Sequence, residues 1–236
     1  MQQGPRHRGL VHMTTATLAR SLEGFYAFLE RPLFLWTRPV LLLLLLPLAI
    51  GLTLPLWHVG FTTADHPGGL ALDVYAYTVT SGHDGTDLGA INALHQMIGM
   101  RTLDASSLSS LDWLPFGFGA LALLTIRVAV VGNIRALVDL AAVAGYFAAF
   151  SAGHFVYKLH GFGHHLSVDA PTKVPPFMPV INGTQQIGDV TATAGFAAGT
   201  YLVAIFMLGV CAVAVFHLVQ GRKRAQLERV APPVTA

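Results

Sequence analysis

The sequence predicts an all-α membrane protein with four transmembrane helices and two structured outer loops. Hydrophobic residues occupy 53% of the 236 positions and charged residues only 11%, whereas soluble domains carry about 25% charged residues. The mean hydropathy is +0.58. Four apolar runs approach the ~20 residues needed to cross a bilayer. Because lipid cannot satisfy backbone N–H and C=O groups, each run is expected to be helical.

The four spans are predicted at residues 39–57, 113–131, 137–157 and 197–219. The first should stay uncleaved, since the residues that follow it form a poor small-residue signal-peptide cleavage site. Residues 1–38 form an arm, in which the apolar spacing of residues 14–29 predicts a short helix on the inner leaflet. Residues 220–236 form a tail. Met13 is an alternative start that leaves this topology unchanged.

Basic residues predict the orientation of the chain. Eleven of the 14 lysines and arginines lie in the arm, the tail or the short connection between the second and third spans; Arg101, Lys158 and Lys173 lie in the long loops. By the positive-inside rule, both termini are cytoplasmic and the loops at residues 58–112 and 158–196 face outward. This pattern is typical of a multi-pass protein of the bacterial inner membrane, whose first partner is the lipid bilayer.

The first outer loop, residues 58–112, is too long to be a plain connection and is expected to have secondary structure. Residues 72–79 alternate and are rich in aromatic and β-branched side chains, which predicts a strand. Residues 87–100 predict a helix that is capped by Asp87 and ended by Gly99.

The second outer loop, residues 158–196, concentrates histidines. His160, His164 and His165 lie within six residues, and two intervening glycines favour a turn over a helix. Residues 173–179 contain three prolines and cannot be helical.

Imidazole and thioether side chains together suit copper, and the thioether favours Cu(I). A four-helix bundle makes the two outer loops neighbours, so a copper site on the outer side is physically possible. On a regular helix His95 and Met97 point about 160° apart, since each residue advances ~100°, and Met100 is therefore the better partner for His95. The candidate ligands are His95, Met97, Met100, His154, His160, His164, His165 and Met178.

Two alternatives to copper stay open. A haem b could be held between His58 and His154, which share the outer level of the membrane, whereas His217 lies at the inner end of the fourth span and cannot share a haem with His154. The chain could also be a structural subunit in which every imidazole is satisfied internally. No nucleophile–base pair, P-loop, dinucleotide fingerprint or nucleic-acid-binding patch is recognised, so neither an enzyme nor a nucleic-acid partner is expected.

Two strings resemble small integral membrane proteins encoded near the genes of nitrous-oxide reductase, a copper enzyme of denitrification. INALHQMIGMR, from Ile91, is followed by DWLPF and is similar to a helix that reads I-N-x-L-N-H-Y-I-G-M in those proteins. GHHLSVDAPTKVPPFMPVING, from Gly163, is similar to G-H-x-L-x-x-x-A-x-x-K-V-P-x-F-x-P-x-x-x-G. The resemblance covers both outer loops and the adjoining helix starts, about half of the chain.

The resemblance implies an accessory role in copper supply or electron delivery to a periplasmic copper enzyme. The residues that match the two patterns include Gly99, Met100, His164, Lys173 and Pro175. The Asn-His-Tyr of those proteins stands here as His-Gln-Met at positions 95–97, so the histidine is shifted by one position. The sequence therefore predicts a non-enzymatic membrane protein that binds or hands on copper at its outer face for a periplasmic or membrane respiratory protein.

Overall fold

The structure is a computed structural model that describes residues 23–103 and 113–230. Residues 23–29 are helical, and the earlier part of the predicted inner-leaflet helix lies outside the described residues. The helices that follow are, in chain order, α1 (Thr37–Thr53), α2 (Asp87–Met97), α3 (Trp113–Val131), α4 (Ile134–His164) and α5 (Ala198–Val230).

Three of these helices are long and apolar enough to cross a membrane: α3, α4 and the Ala198–Gly221 part of α5. The predicted second span coincides with α3, whereas α4 and α5 extend beyond the predicted ends, and α5 includes much of the predicted tail. The helix α1 is apolar but has 17 residues, because the chain turns into a strand at Trp57. By helix length, three of the four predicted spans are confirmed as long enough, and α1 is shorter.

The four long helices pack as a ring. α1 contacts α3 and α5, and α4 contacts the same two helices. Leu41, Leu121, Leu137 and Phe206 lie in its buried core, each 1% exposed or less. At the end of the ring where α3 gives way to α4, Leu33 N–H donates to the carbonyl of Gly132.

Small residues let two helices of the ring approach closely near its opposite end. Gly51 of α1 is buried, and a Cβ at Gly199 of α5 would lie 2.7 Å from the carbonyl oxygens of Leu54 and Pro55. Close backbone approach at small residues is a usual way for helices to pack in membranes.

The prediction of a mostly helical protein is confirmed for the described residues, but the two loops predicted to face outward together form a five-stranded antiparallel sheet, so the protein is not all-α. The strands are β1 (Trp57–Thr62), β2 (Leu70–Val74), β3 (Val79–Ser81), β4 (Gly183–Ile187) and β5 (Val190–Phe196). Their order is β3-β2-β1-β5-β4, so β1 from the first loop pairs directly with β5 from the second. The strand predicted at residues 72–79 is two strands joined by a turn.

The sheet has a core of its own. Val59, Leu70 and Leu72 alternate with more exposed positions along β1 and β2, as in a half-buried sheet. α2 covers this face and contributes Ile91, which is fully buried. The strands and α2 thus form a small module at one end of the helices, named here the outer module because it is built from the two loops predicted to face outward.

Candidate functional site

The two outer loops contact each other at the end of α2, as expected. Gly99 has a φ of 79°, a conformation that side-chain-bearing residues rarely adopt. Its carbonyl accepts a hydrogen bond from Ser167 N–H at 2.8 Å, and the carbonyl of Met97 accepts one from Thr172 N–H at 2.9 Å. Gly99 therefore ends α2 in direct contact with the second loop.

The three neighbouring histidines lie at the end of a helix and not on the predicted turn. α4 continues through both glycines to His164, and His165 is its C-terminal cap. Four residues apart on one helix face, His160 and His164 stack with ring centroids 3.7 Å apart. The glycines do not end the helix because Gly163 fits against the second loop, where Phe177 N–H donates to its carbonyl at 3.1 Å.

Backbone carbonyls fix the orientation of two of these rings. The Nδ1 nitrogens of His164 and His165 donate to the carbonyls of His160 and Gly161, each at 3.1 Å. The Nε2 nitrogens then carry the lone pairs, and both side chains are exposed. A carbonyl partner on the opposite ring nitrogen is characteristic of metal-binding histidines.

Met178 lies in the segment that packs on this end of α4. A Cβ at Gly163 would overlap the carbonyl oxygen of Phe177 and approach Pro179, so the residues on both sides of Met178 are against the helix. Across residues 23–103 and 113–230, however, no group of three or more His, Cys, Asp or Glu side chains is arranged to hold a metal ion. The geometry offers a stacked imidazole pair and a nearby thioether-bearing segment.

The candidate metal ligands of the first loop differ in how far their side chains are buried. His95 is 6% exposed and shares the buried face of α2 with Ile91, as predicted, whereas Met97 is 50% exposed. The Nδ1 of His95 donates to the carbonyl of Arg101 at 3.1 Å, and burial lowers the pKa of this imidazole. His95 is therefore a neutral side chain of the module's core, at the edge of a cavity that Met100 also lines.

This cavity lies between the outer module and the helices and has a volume of about 640 Å³. Its walls are almost wholly apolar and include Trp57, Trp113 and Phe147. His154 of α4 faces it, between Trp113 and Phe150 at ring-centroid distances of 6.0 Å each. The Nε2 of His154 is buried and has no hydrogen-bond partner in the described part of the chain.

The structure does not bring together the proposed haem ligands His58 and His154. Trp57, Val59 and Phe61 line the cavity, so His58, which alternates with them along β1, points to the other face of the sheet. There the imidazole of His58 is 2.7 Å from the carboxylate of Asp73 on the paired strand. His217 is also far from this level: it is buried 2.7 Å from Thr37 Oγ1, at the end of the bundle opposite the sheet.

Sequence reasoning missed the role of Asn92 and assigned Asp87 the wrong one, and both polar residues shape the outer module. Asn92 accepts from Leu103 N–H at 2.7 Å and donates to the Leu103 carbonyl at 3.1 Å. Asp87 begins α2 and does not cap it; its buried carboxylate accepts from Ala71 N–H at 3.0 Å and contacts His83. The hydrogen bond from Ala71, followed by that from His83, lowers the pKa of Asp87 despite its burial. The asparagine could have been noticed as a polar residue beside the apolar stripe of α2.

Together these features describe a ring of apolar helices, three of them long and apolar enough to cross a membrane, that supports a module of five strands and one helix. The comparisons with protein-family models, curated proteins and solved structures found no match for the chain.

Proposed function

We propose that this chain is a non-enzymatic accessory protein of a bacterial inner membrane that binds copper at its outer face and hands it to a respiratory copper enzyme such as nitrous-oxide reductase. The observation that carries the proposal is the stacked His160–His164 pair at the exposed end of α4. Two exposed imidazoles four residues apart on one helix face, with Met178 in the segment that packs on the same helix end, suit a site that takes up and releases copper.

Few protein ligands at the proposed copper site favour transfer of the ion to a partner over permanent storage. The pair and His165 are exposed, so an ion held there is accessible to a partner protein. The named partner enzyme rests on the resemblance of the two outer strings, and the metal rests on the imidazole and thioether donors. The buried His95 is better suited to the core of the module than to this site.

Copper titration of the purified protein in detergent tests the proposal. With a chromogenic Cu(I) chelator as competitor, the unaltered protein should withdraw one equivalent of copper. The triple variant His160→Ala, His164→Ala, His165→Ala should withdraw none, and it should keep its thermal unfolding midpoint because the three side chains are exposed.

A matched control is His66→Ala, which removes an exposed histidine of the first loop that lies beside Thr63. This variant should bind copper as the unaltered protein does. Met178→Leu should weaken Cu(I) binding while leaving Cu(II) binding unchanged, because thioethers prefer the softer ion. Full copper binding by the triple variant would reject the site.

We further propose that α1 is the fourth span, with both termini inside. Its contacts with α3 and α5 support this. So does the backbone hydrogen bond that joins Leu33, just before α1, to Gly132 in the connection between α3 and α4. The 17 helical residues reach about 26 Å at 1.5 Å per residue, and the extended residues before β1 supply the remaining length.

A further inference from the structure

The cavity under the sheet is long and not round. Trp57 packs edge-on against Phe155, the neighbour of His154, at 5.1 Å, and Phe61 packs edge-on against His95 at 5.9 Å. Trp57 and Phe61 are four residues apart on β1, which corresponds to about 13 Å along a strand. His95 and His154 therefore lie toward opposite ends of the cavity and cannot ligate one haem iron between them.

One end of the cavity offers polar groups to a ligand. His154 and Lys158 are four residues apart on α4 and both line it, so they share one face of that helix. The unpartnered Nε2 of His154 is a buried polar atom next to aromatic walls. Since an unsatisfied buried polar atom costs free energy, a ligand that hydrogen-bonds to it would bind there preferentially.

The position of the cavity indicates where such a ligand comes from. Its lower wall is formed by the ends of α3, α4 and α5 that adjoin the outer module, and its upper wall by the apolar face of the sheet. These three helices are the ones long enough to cross a bilayer, so the cavity lies at the level of one membrane surface. Lys158 supplies a positive charge at that level.

We propose that the cavity binds one anionic phospholipid from the outer leaflet. An acyl chain occupies the apolar space of about 640 Å³, which lies within the range of ligand-holding cavities. The phosphate accepts hydrogen bonds from His154 Nε2 and from the ammonium group of Lys158. The lipid then joins the outer module to the helices and fills a space that the side chains of residues 23–103 and 113–230 leave open.

Tryptophan quenching by brominated lipid tests this binding directly. The chain has three tryptophans. Trp57 and Trp113 line the cavity and Trp36 does not. The variant Trp36→Phe therefore keeps only the two tryptophans whose fluorescence reports on the cavity. Purified, delipidated protein in a non-ionic detergent is titrated with phosphatidylglycerol carrying brominated acyl chains, and in parallel with brominated phosphatidylcholine. Quenching should saturate near one lipid per protein, with phosphatidylglycerol bound about fivefold more tightly.

Two kinds of variant separate the roles of charge and space. Lys158→Ala should abolish the preference for phosphatidylglycerol, whereas Lys173→Ala, which removes an exposed lysine outside the cavity, should preserve it. Ala148→Phe places a ring in the cavity wall and should weaken binding of both lipids severalfold. Circular dichroism and the thermal midpoint confirm that each variant is folded.

Non-saturating quenching that is equal for both lipids and unchanged by Ala148→Phe would overturn the proposal, as would displacement of bound phosphatidylglycerol by a quinone analogue of higher affinity. Neither outcome depends on the proposed copper site, since His160, His164 and His165 lie outside the cavity lining.

Discussion

At the scale of single residues, burial distinguishes histidines that look alike in the sequence. His95 and His164 both donate from Nδ1 to a backbone carbonyl. Only His164 is exposed, whereas His95 is enclosed beside Phe61 and Ile91. The same side chain is thus accessible to solvent at one position and packed in a core at the other, and no local sequence pattern separates the two environments.

The buried imidazole of His95 makes the outer module sensitive to acid. Burial depresses the pKa of His95 in the folded protein, so its contribution to stability is complete above the ordinary value near 6.5 and is lost as the pH falls toward the folded value. Between pH 7.5 and 5.5 the thermal midpoint should fall, with a loss approaching about 1.4 kcal/mol per pH unit below 6.5.

His95→Leu should remove most of this pH dependence because it keeps the volume without the ionisable group. His66→Leu, which changes an exposed histidine, should retain it. An identical pH profile for the unaltered protein and His95→Leu would show that His95 is not the source of the acid sensitivity.

Asn92 should hold the residues that follow α2. Its amide makes two hydrogen bonds to the backbone of Leu103, and their loss leaves that backbone unsatisfied at a cost of about 1–3 kcal/mol. In Asn92→Ala, hydrogen–deuterium exchange at residues 99–103 should become roughly tenfold faster or more. Gln96→Ala, which changes an exposed neighbouring side chain, should leave the exchange of these amides unchanged. Equal exchange rates in both variants would show that Asn92 does not hold this backbone.

At the scale of elements, the sequence predicted helices whose position depends on a single property, either apolar composition or apolar periodicity. The bounds of α3 follow from its apolar composition, and the position of α2 follows from its periodicity. The β4–β5 hairpin was missed although Gly188 and Asp189 stand between alternating strands, with Gly188 at a φ of 59°, as a two-residue hairpin turn requires. The end of α4 was missed because Gly163 is stabilised by the distant Phe177, which local propensity cannot reveal.

The contact between α1 and α5 should tolerate no added methyl group. In Gly199→Ala the new Cβ meets three backbone carbonyls, and forced separation of the helices should cost about 1–3 kcal/mol. Gly119→Ala on α3 is the matched control, since nothing lies within 4 Å of its new Cβ, and it should be neutral or slightly stabilising. Thermal unfolding in detergent compares the two; equal midpoints would show that the helices do not pack as described.

At the scale of the whole molecule, the number of spans decides which parts share a side of the membrane. With α1 as a fourth span, residue 23 and the sheet are on opposite sides; with three spans they are on the same side. In a Cys211→Ser background, Thr80→Cys should react with a membrane-impermeant maleimide in intact bacterial cells. Glu23→Cys should react only after permeabilisation.

Lys223→Cys, which lies beyond the span Ala198–Gly221, serves as the inner reference and should also need permeabilisation. Labelling of Glu23→Cys in intact cells to the level of Thr80→Cys would rule out the fourth span.

The pairing of β1 with β5 has a consequence for how the protein is made. Thr62 pairs with Thr191, so the ribosome must add more than 120 residues after the first strand before its partner exists. At about 5–20 residues per second, β1 waits on the order of ten seconds with one edge unpaired. During that interval the exposed edge is open to pairing with other chains, so the nascent module is most prone to aggregation before β5 is made.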